Sequence, residues 1–535
     1  MDQHRGLRRV PLRAGRVFFK SCIINGLALT KMALPLSWHC NNRGFCRIPR
    51  GFLLWLNWIT LKIGFVSLGC PKNLVDSEVM MGELVARGHE LTTAPADADV
   101  LVINTCSFID PAKQESIDTI LEMAEYKKTG RARKLVVAGC LVERYRGDIR
   151  KDLPEVDAIV GTNELGRIVE ACEESPSADF QGSPEPYLYH DMTPRVLSTP
   201  RHYAYIKIAE GCDHPCTFCV IPQYRGAFRS RRFESVVAEA TRMFGQGIRE
   251  INLIGQDTTC FGEDLGIKDG LAVLLARLAS IETPMEKWIR FLYAYPNRVT
   301  QRLLDTIAEH SALAKYIDMP LQHASASVLK RMKRGAHGDI FLKLIEKVRR
   351  TIPGVAIRTS FIVGFPGETD ADFAELCAFV DAAKFDRVGV FTYSDEDTSK
   401  SYPLDAKVDG RTMQNRKRKL MALQRRISNR KNRTLVGSEV AVLVEGLSPE
   451  TDLLWQGRMP TQAPEIDGVV LINDFEGAEP RPGEIRRMLI TDAHDYDLVG
   501  TLLAGTEALP AWPKAPIGVI PGLIQISSPA GLPAR

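Results

Sequence analysis

Three cysteines near the middle of the chain are spaced closely enough to bind one metal centre. Residues 211–219 read Gly-Cys-Asp-His-Pro-Cys-Thr-Phe-Cys, which places Cys212, Cys216 and Cys219 in a C-x3-C-x2-C pattern. A 4Fe-4S cluster held by three thiolates keeps one iron open to a small molecule, whereas a thioredoxin-type redox pair needs only two cysteines. A structural zinc site needs a fourth ligand, which His214 could supply from within a tight turn. The spacing therefore favours an iron–sulfur cluster with an open iron, with zinc as the alternative.

A second set of three cysteines follows three predicted strands. The apolar segments 63–68, 100–104 and 134–138 are followed by Cys70, Cys106 and Cys140, and helical periodicity appears over 73–87 and 112–128. Because the carboxyl ends of parallel strands lie along one edge of an α/β sheet, we expect the three thiols to lie together. One such cysteine alone is usually a small buried residue. Three in equivalent positions predict a second three-thiolate cluster site.

Strand–helix alternation continues from residue 203 to about residue 395. Strands are predicted near 203–208, 249–254, 288–293, 355–363 and 387–392, and the helices between them include 339–350 and 370–383. Six such units predict a partial (β/α) barrel with its chemistry at the carboxyl ends of the strands.

Polar and glycine-rich turns occupy those strand ends, at 255–257, 320–323 and 364–369. We expect cofactor or substrate contacts from Gln256, Gln322, His323, Gly364 and Gly367. An ordinary loop after a strand and a hydrogen-bonded core histidine are the alternatives for the last three.

Charge is distributed unevenly, although the formal net charge is only +4. Residues 1–50 carry a single acid, Asp2, and residues 411–433 contain ten Lys or Arg and no acid. The basic segment 411–433 is a predicted helix, for which a solvated face is the usual interpretation and docking on RNA or an acidic surface the alternative. Residues 437–503 carry thirteen acids against four arginines. Their short strands, at 440–444, 469–472, 484–490 and 496–502, predict a small β-barrel of oligonucleotide-binding type.

These patterns divide the chain into seven segments. They are an N-terminal extension at 1–61, an α/β domain at 62–172, a linker at 173–200, a barrel at 201–410, a basic helix at 411–436, a β-barrel at 437–503 and a tail at 504–535. We expect the extension to be disordered or a misassigned start, and the tail to be disordered. The fold class is thus α/β with a small β-barrel at the end.

Twelve cysteines grouped in short motifs indicate a reducing compartment and metal binding rather than a disulfide framework. Cys22, Cys40 and Cys46 receive no role. Cys172, Cys260 and Cys377 lack partners at ligand spacing, and we expect them to be structural.

The central cysteine run, with Phe218 before its last cysteine, resembles the radical S-adenosylmethionine (SAM) superfamily. The order of a three-cysteine α/β domain, this barrel and a small β-barrel is similar to that of the methylthiotransferase family over residues 62–503. The resemblance implies a radical-SAM 4Fe-4S cluster on Cys212, Cys216 and Cys219, and an auxiliary 4Fe-4S cluster on Cys70, Cys106 and Cys140. It implies that the last domain is a TRAM domain, and it extends to neither end of the chain.

Two branches of that family differ in substrate. One modifies adenosine in tRNA, and the other modifies an aspartate of small-subunit ribosomal protein S12. Residues 67–78 and 457–468 are similar to the second branch, since the first normally has Gln-Met-Asn after its first cysteine. Charge favours the same branch, because an RNA-binding barrel should be basic and an acidic one attracts a basic protein.

The resemblance implies transfer of a methylthio group to the β-carbon of the aspartate, with two SAM molecules consumed per turnover. Implied partners are ribosomal protein S12, free or in its subunit, and an electron donor such as flavodoxin or ferredoxin. We expect a cytoplasmic enzyme with no membrane association. A tRNA methylthiotransferase is the nearer alternative, and a non-catalytic iron–sulfur or zinc RNA-binding protein the more distant one.

Overall fold

The computed structural model describes residues 23–24, 27–28, 60–173 and 187–505. The chain forms two compact units, Met1–Ile59 and Thr60–Arg535. In the first unit the described residues form two antiparallel strands, β1 (Ile23–Ile24) and β2 (Leu27–Ala28). The predictions for the rest of the extension and for nearly all of the tail, like residues 174–186 of the predicted linker, lie outside the described residues.

The second unit begins with a parallel sheet covered by helices. Its strands are β3 (Lys62–Ser67), β4 (Glu90–Thr92), β5 (Val100–Thr105), β6 (Lys134–Gly139) and β7 (Ala158–Val160). Its helices are α1 (Pro71–Ala86), α2 (Asp110–Thr129), α3 (Cys140–Asp152) and α4 (Ile168–Glu173). The strand order is β4-β3-β5-β6-β7, with all pairs parallel. Apolar clusters pack on both faces, so β5 and β6 are buried along their whole length, as their unbroken apolar runs predict.

Six parallel strands then form an open barrel. They are β8 (Tyr203–Lys207), β11 (Glu250–Ile254), β12 (Trp288–Phe291), β13 (Tyr316–Asp318), β14 (Ala356–Val363) and β15 (Arg387–Thr392); a short antiparallel pair, β9 (Ala209–Glu210) and β10 (Arg229–Ser230), follows β8. The helices are α5 (Ile221–Arg225), α6 (Phe233–Gly245), α7 (Gly270–Ala279), α8 (Gln301–Glu309), α9 (Ala326–Arg331), α10 (Gly338–Thr351) and α11 (Asp370–Ala383). Strands pair as β8-β11-β12 and β13-β14-β15, and a parallel bridge from Ile289 to Leu313 links the two sets. The largest apolar cluster of the molecule fills this barrel, and the predicted partial barrel is confirmed.

The basic segment forms one long helix, α12 (Gly410–Arg433). The Asp409 carboxylate accepts a hydrogen bond from the Thr412 amide at 3.0 Å and caps the first turn. Leu420 and Ile427 join the barrel core, and Gln424 Nε2 donates to the Phe385 carbonyl at 3.0 Å. In the part of the chain that the structure describes, no helix is both long and apolar enough to span a membrane.

A closed five-stranded β-barrel follows α12, as predicted. Its strands, in the order β16-β17-β18-β20-β19, are β16 (Glu439–Ser448), β17 (Thr451–Arg458), β18 (Val470–Phe475), β19 (Ile485–Ala493) and β20 (Leu498–Leu502). It joins the larger barrel through buried Arg458, whose guanidinium donates to Glu250 at 2.6 Å and to Glu445 at 2.7 Å. Arg290 also donates to Glu250, at 2.9 Å, so Glu250 is satisfied from both sides of the interface.

The sequence patterns do not reveal eight of the strands that the structure describes. β1, β2, β9 and β10 are two residues long. β4, β7 and β13 are three residues long, too short for a periodic signal. β17 carries Asp452, Gln456 and exposed Leu453, which interrupt the alternation of a half-buried strand.

Candidate active site

The first cysteine group lies where three adjacent strands of the five-stranded sheet end. Cys70 caps α1 after β3, Cys106 follows β5, and Cys140 begins α3 after β6. Gly69 makes the first turn possible: its φ is +89°, and a Cβ there would stand 2.7 Å from Cys106 Cβ. The turn therefore brings Cys70 and Cys106 into contact range.

The chemistry of these thiols suits an iron centre. All three are free, and burial, with Cys140 and Cys70 nearby, raises the pKa of Cys106 well above its usual range. Burial likewise raises the pKa of Cys140 to about 11. Buried thiolates need cations close to them, which the iron ions of a cluster supply. The donor set of three grouped sulfurs therefore fits a three-cysteine 4Fe-4S cluster.

The second cysteine group lies in the loop after β9, at the carboxyl end of strand β8 of the barrel. Burial raises the pKa of Cys212 to about 11 and that of Cys219 to about 12, and nearby Cys216 adds to both increases. The Cys219 amide donates to the Cys216 carbonyl at 3.3 Å, so the loop is tightly wound. Phe218 is half-buried against the barrel core and anchors it. These three thiols fit a second cluster by the same chemistry.

His214, the residue on which a zinc interpretation depends, is engaged by the barrel. Its ring stacks on Tyr295 with centroids 3.7 Å apart, and its Nε2 lies 2.6 Å from Asp257 Oδ2. Cys260 Sγ donates to the same oxygen at 3.0 Å. His214, Asp257 and Cys260 are close enough to share a metal ion, yet hydrogen bonds among them already satisfy the carboxylate. The histidine thus has a partner outside the cysteine run, which favours three thiols over a zinc tetrahedron.

Helix α5 joins the two cysteine groups. It starts two residues after Cys219; its Tyr224 and the preceding Val220 form a small apolar cluster with Cys140. Burial raises the pKa of Tyr224 well above its usual range, and Cys140, Cys106 and Cys219 add to that rise. Tyr224 is therefore close enough to cysteines of both groups to interact electrostatically with each.

Arg225, the last residue of α5, binds a cysteine of the first group directly. Its Nη2 donates to Cys140 Sγ at 3.1 Å and to Asn73 Oδ1 at 2.6 Å. Its Nη1 donates to Asp76 Oδ2 at 2.7 Å and to Glu210 Oε2 at 3.2 Å. A full positive charge thus lies against one sulfur of the first cysteine group.

Lys207 completes a buried cluster of four charges with Arg225, Asp76 and Glu210. Its ammonium binds Asp76 and, at 2.6 Å, Glu210 Oε2. Two cations and two anions balance, which lowers the cost of burying all four charges. The cluster ties α1 of the first sheet to β8 and α5 of the barrel.

Gln256 lies beside that cluster. Its Nε2 donates to Glu210 Oε1 at 2.5 Å, directly before the loop that carries Cys212. Its Oε1 is buried and, within the described chain, accepts no hydrogen bond. An unmet acceptor at this position suits contact with a polar ligand.

Gln322 and His323 lie at the end of β13. Gln322 has a φ of +73°, an uncommon backbone conformation for a residue other than glycine, at the carboxyl edge of the barrel. His323 is fully buried and its Nδ1 accepts from the Ser325 amide at 3.0 Å. Burial lowers the pKa of His323 to about 4, so it is neutral near pH 7. A ligand contact for either residue stays a prediction.

Other side chains of the protein pack directly against the glycines of the turn after β14. Gly364 has φ +80°, and a Cβ there would stand 2.1 Å from Met413 Cγ; at Gly367, with φ +78°, a Cβ would meet Arg331. Glu368 accepts from the Phe365 amide at 3.1 Å and closes the turn. The glycines thus permit the approach of α12 and Arg331, and their contact with a cofactor stays a prediction.

Arg225, Lys207 and Asp76 are the residues of the site that sequence reasoning misses. Only one of them carries a local signal: Lys207 interrupts the apolar strand Tyr203–Lys207 at a position buried along with the rest of the strand. A cation inside a buried strand implies a buried acid elsewhere, but the sequence does not say which one.

Comparison with known proteins gives three family models along the chain. They are the uncharacterized protein family UPF0004 at 62–161, the radical SAM superfamily at 206–380 and the TRAM domain at 436–503. A ribosomal protein uS12 methylthiotransferase RimO from Solibacter usitatus is 79% identical over 468 residues, which cover 88% of this chain and 99% of that protein. The protein of the same name from Koribacter versatilis is 58% identical, over 83% of this chain and 96% of the relative.

Among solved structures, the radical S-adenosylmethionine methyltransferase TsrM from Kitasatospora setae matches at 14% identity with a TM-score of 0.45. It covers 62% of this chain and 75% of its own. This likeness is too distant to carry an argument.

Proposed function

The chain belongs to the ribosomal protein uS12 methylthiotransferase family, and on that premise we propose which of its residues carry the reaction. It is a radical-SAM transferase that uses 4Fe-4S clusters and SAM and acts on ribosomal protein uS12. We assign Cys212, Cys216 and Cys219 to the cluster that binds SAM. The auxiliary cluster is assigned to Cys70, Cys106 and Cys140, as the resemblance in sequence implies.

The observation that carries the assignment is the position of α5. One short helix contacts Cys140 through Tyr224 and Arg225 and follows Cys219 by two residues. Two sites that exchange a reactive group must be close, because a carbon radical reacts with whatever group it meets first. Adjacent cysteine groups, separated by side chains rather than by a domain, satisfy that requirement.

When bound, the clusters and SAM supply the deoxyadenosyl radical and the methylthio group, and the protein binds and orients the reacting parts. Arg225 holds Cys140 and offsets negative charge at its sulfur. Glu210 and Gln256 present polar atoms beside Cys212, where the amino and carboxylate groups of SAM would be bound. Each group contains at least one buried cysteine, and the others are half-buried, which limits the access of water to the transfer.

The reacting atom of uS12 is, in this proposal, the β-carbon of an aspartate. Its C–H bond is too weakly acidic for a protein base, so a radical is required and acid–base residues contribute little. Two SAM molecules are consumed per turnover, and a flavodoxin or ferredoxin delivers electrons in the cytoplasm. The proposed domains are the N-terminal α/β domain, the barrel and the small β-barrel, at residues 62–172, 201–410 and 437–503.

Single cysteine substitutions test the assignment of the two cysteine groups to different steps of the reaction. Cys70→Ala should still cleave SAM to 5′-deoxyadenosine but should no longer transfer a methylthio group, whereas Cys212→Ala should lose both reactions. The measurement is chromatography of 5′-deoxyadenosine together with mass spectrometry of uS12, using anaerobically reconstituted protein, SAM and a reductant. Cys172→Ala is the matched control, since this buried cysteine lies outside both groups and should leave both readouts unchanged.

Methylthio transfer at the normal rate by Cys70→Ala would refute the role of the first cysteine group. Methylthioadenosine in tRNA together with unmodified uS12 would place the enzyme in the other branch of the family.

A further inference from the structure

A continuous cationic stripe runs along the exposed side of α12. Ten residues of the helix are exposed, and seven of them are cations; the other three are Gly410, Gln414 and Ala422. The cations are Arg411, Arg418, Lys419, Arg425, Arg426, Arg430 and Arg433. Successive members lie one, three, four, six or seven residues apart, which at 3.6 residues per turn spreads them over about 140° of the helix circumference. All seven therefore share one face, about 33 Å long at 1.5 Å per residue. We call this face the basic stripe.

The basic stripe is scarcely neutralised by the protein itself. Arg425 has an acidic partner, Asp495, at 3.6 Å. For the other six cations the structure places no carboxylate within ion-pair distance, as far as its described residues extend. The helix contains no acid, so Arg430 faces like charges at Arg426 and Arg433, an arrangement that destabilises a helix.

Helix energetics account for only part of the stripe. Arg430 and Arg433 lie in the last turn, where the negative end of the helix dipole favours cations. Arg418, Lys419 and Arg426 lie in the middle of the helix and gain nothing from it. Neither the helix dipole nor an acidic partner therefore accounts for these three cations.

The opposite face of α12 packs against the larger barrel. Leu420 and Ile427 are buried in the barrel core, and the exposed face offers no large apolar side chain. A membrane-surface helix needs a free apolar face to insert, so a membrane is a poor partner. Six of the seven cations are arginines, whose planar guanidinium matches phosphate oxygens in bidentate fashion.

The stripe runs between two functional parts of the molecule. At its start, Arg416 donates to Glu368 at 3.2 Å, and Met413 packs on Gly364 in the turn after β14, at the carboxyl edge of the barrel. At its end, Asn429 donates to Asp495 of the small β-barrel at 3.1 Å. The start of the stripe thus lies at the edge of the barrel that also carries the loop with Cys212, Cys216 and Cys219, since Arg331 bonds both Thr217 of that loop and Pro366 of the turn.

We propose that the basic stripe binds the phosphate backbone of ribosomal RNA beside the substrate protein. This inference rests on the proposed function, because uS12 is a ribosomal protein and its surroundings in the subunit are RNA. The enzyme then engages uS12 within RNA-containing particles better than uS12 alone: the cysteine sites modify the aspartate, and α12 holds the particle.

Binding of protein-free small-subunit ribosomal RNA tests the inference, with Arg418→Glu/Lys419→Glu/Arg426→Glu as the stripe variant. The matched control reverses three exposed cations elsewhere on the barrel, Lys268→Glu/Arg277→Glu/Arg302→Glu. The stripe variant should bind at least ~10-fold more weakly near 0.1 M salt, and the salt slope of log K should fall by about 2–3. The control variant should keep most of the affinity and slope of the wild type, and both variants should retain normal circular dichroism.

Activity gives the second readout. The stripe variant should modify isolated uS12 at the wild-type rate but modify uS12 in RNA-containing subunits more slowly. Equal RNA binding by stripe variant and wild type would overturn the inference, and so would displacement of the RNA by polyglutamate at equal charge, which would indicate an acidic protein partner. Failure of the proposed function is distinguishable, because the wild type would then modify neither form of uS12, whatever the binding curves show.

Discussion

At the scale of single residues, the site depends on a charged side chain that touches sulfur. Six cysteines could be predicted from sequence, because three follow strands and three share a short run. Arg225 could not, because its partners Asn73, Asp76 and Cys140 lie 85 to 152 residues away along the chain. Contacts between residues so far apart in the sequence form when the N-terminal α/β domain packs on the larger barrel, and no local sequence pattern encodes that packing.

Arg225 should raise the reduction potential of the cluster that we assign to Cys70, Cys106 and Cys140. Reduction adds negative charge, which a nearby cation and a hydrogen bond to sulfur stabilise. Arg225→Met should therefore give a more negative midpoint potential, measured by redox titration with electron paramagnetic resonance. The background lacks Cys212, Cys216 and Cys219, so that only this cluster is observed.

Two further variants control that experiment. Arg225→Lys keeps the charge and should recover most of the potential. Asp76→Asn/Arg225→Met keeps the buried charges balanced, so that a loss of folding is not mistaken for a change in potential. A potential unaffected by Arg225→Met would show that the arginine is only structural.

At the scale of elements, the turn after β14 and helix α12 form one unit. The sequence predicts the turn and the helix separately, since glycine spacing and charge are local signals. It predicts ligand contact for the glycines, and the structure adds Met413 and Arg331 as their protein neighbours. These neighbours lie outside the motif that permits their close approach, so sequence alone does not identify them.

Gly364→Ala should destabilise the protein by more than its backbone strain. A positive φ costs an alanine about 1–2 kcal/mol, and the clash with Met413 adds to it. Gly354→Ala is the matched control, because its φ is +73° with no atom within 4 Å of the added Cβ. Chemical denaturation should show a larger loss for Gly364→Ala, and the excess should disappear in a Met413→Ala background; equal losses for the two alanines would contradict the packing described.

At the scale of the whole molecule, the small β-barrel is joined to the larger one by buried charges. Glu445 and Asp467 count as acids in the sequence, yet their largely buried carboxylates contact Arg458 and Tyr316 at the interface. The acidic character of the free surface is therefore smaller than the composition indicates. The charge of the small β-barrel is therefore weaker support for the uS12 branch than the similarity to the relatives is. Composition counts buried and exposed acids alike, so it overstates the charge of the surface.

Acid should weaken this interface through Glu445. Burial tends to raise the pKa of Glu445, but the favourable interactions with Arg458 and His202 are stronger and lower this pKa to about 2. A lowered carboxyl pKa stabilises the fold fully above about pH 4.5, and this stabilisation, about 3 kcal/mol, is lost as the pH falls towards 2. Denaturation between about pH 5 and pH 3 should show a steep loss for the wild type and a shallower one for Glu445→Gln.

Glu439→Gln, which removes an exposed acid of the same β-barrel, is the control and should keep the wild-type slope. An unchanged slope for Glu445→Gln would mean that this ion pair does not contribute to acid sensitivity.

The presence of two neighbouring three-cysteine sites is the central claim, and iron content tests it most directly. After anaerobic reconstitution the wild type should contain about eight irons and eight acid-labile sulfides per chain. Cys212→Ala/Cys216→Ala/Cys219→Ala should contain about four of each, and so should Cys70→Ala/Cys106→Ala/Cys140→Ala. About four irons in the wild type, falling to none when Cys212, Cys216 and Cys219 are replaced, would leave a single cluster and reduce the other three cysteines to core residues.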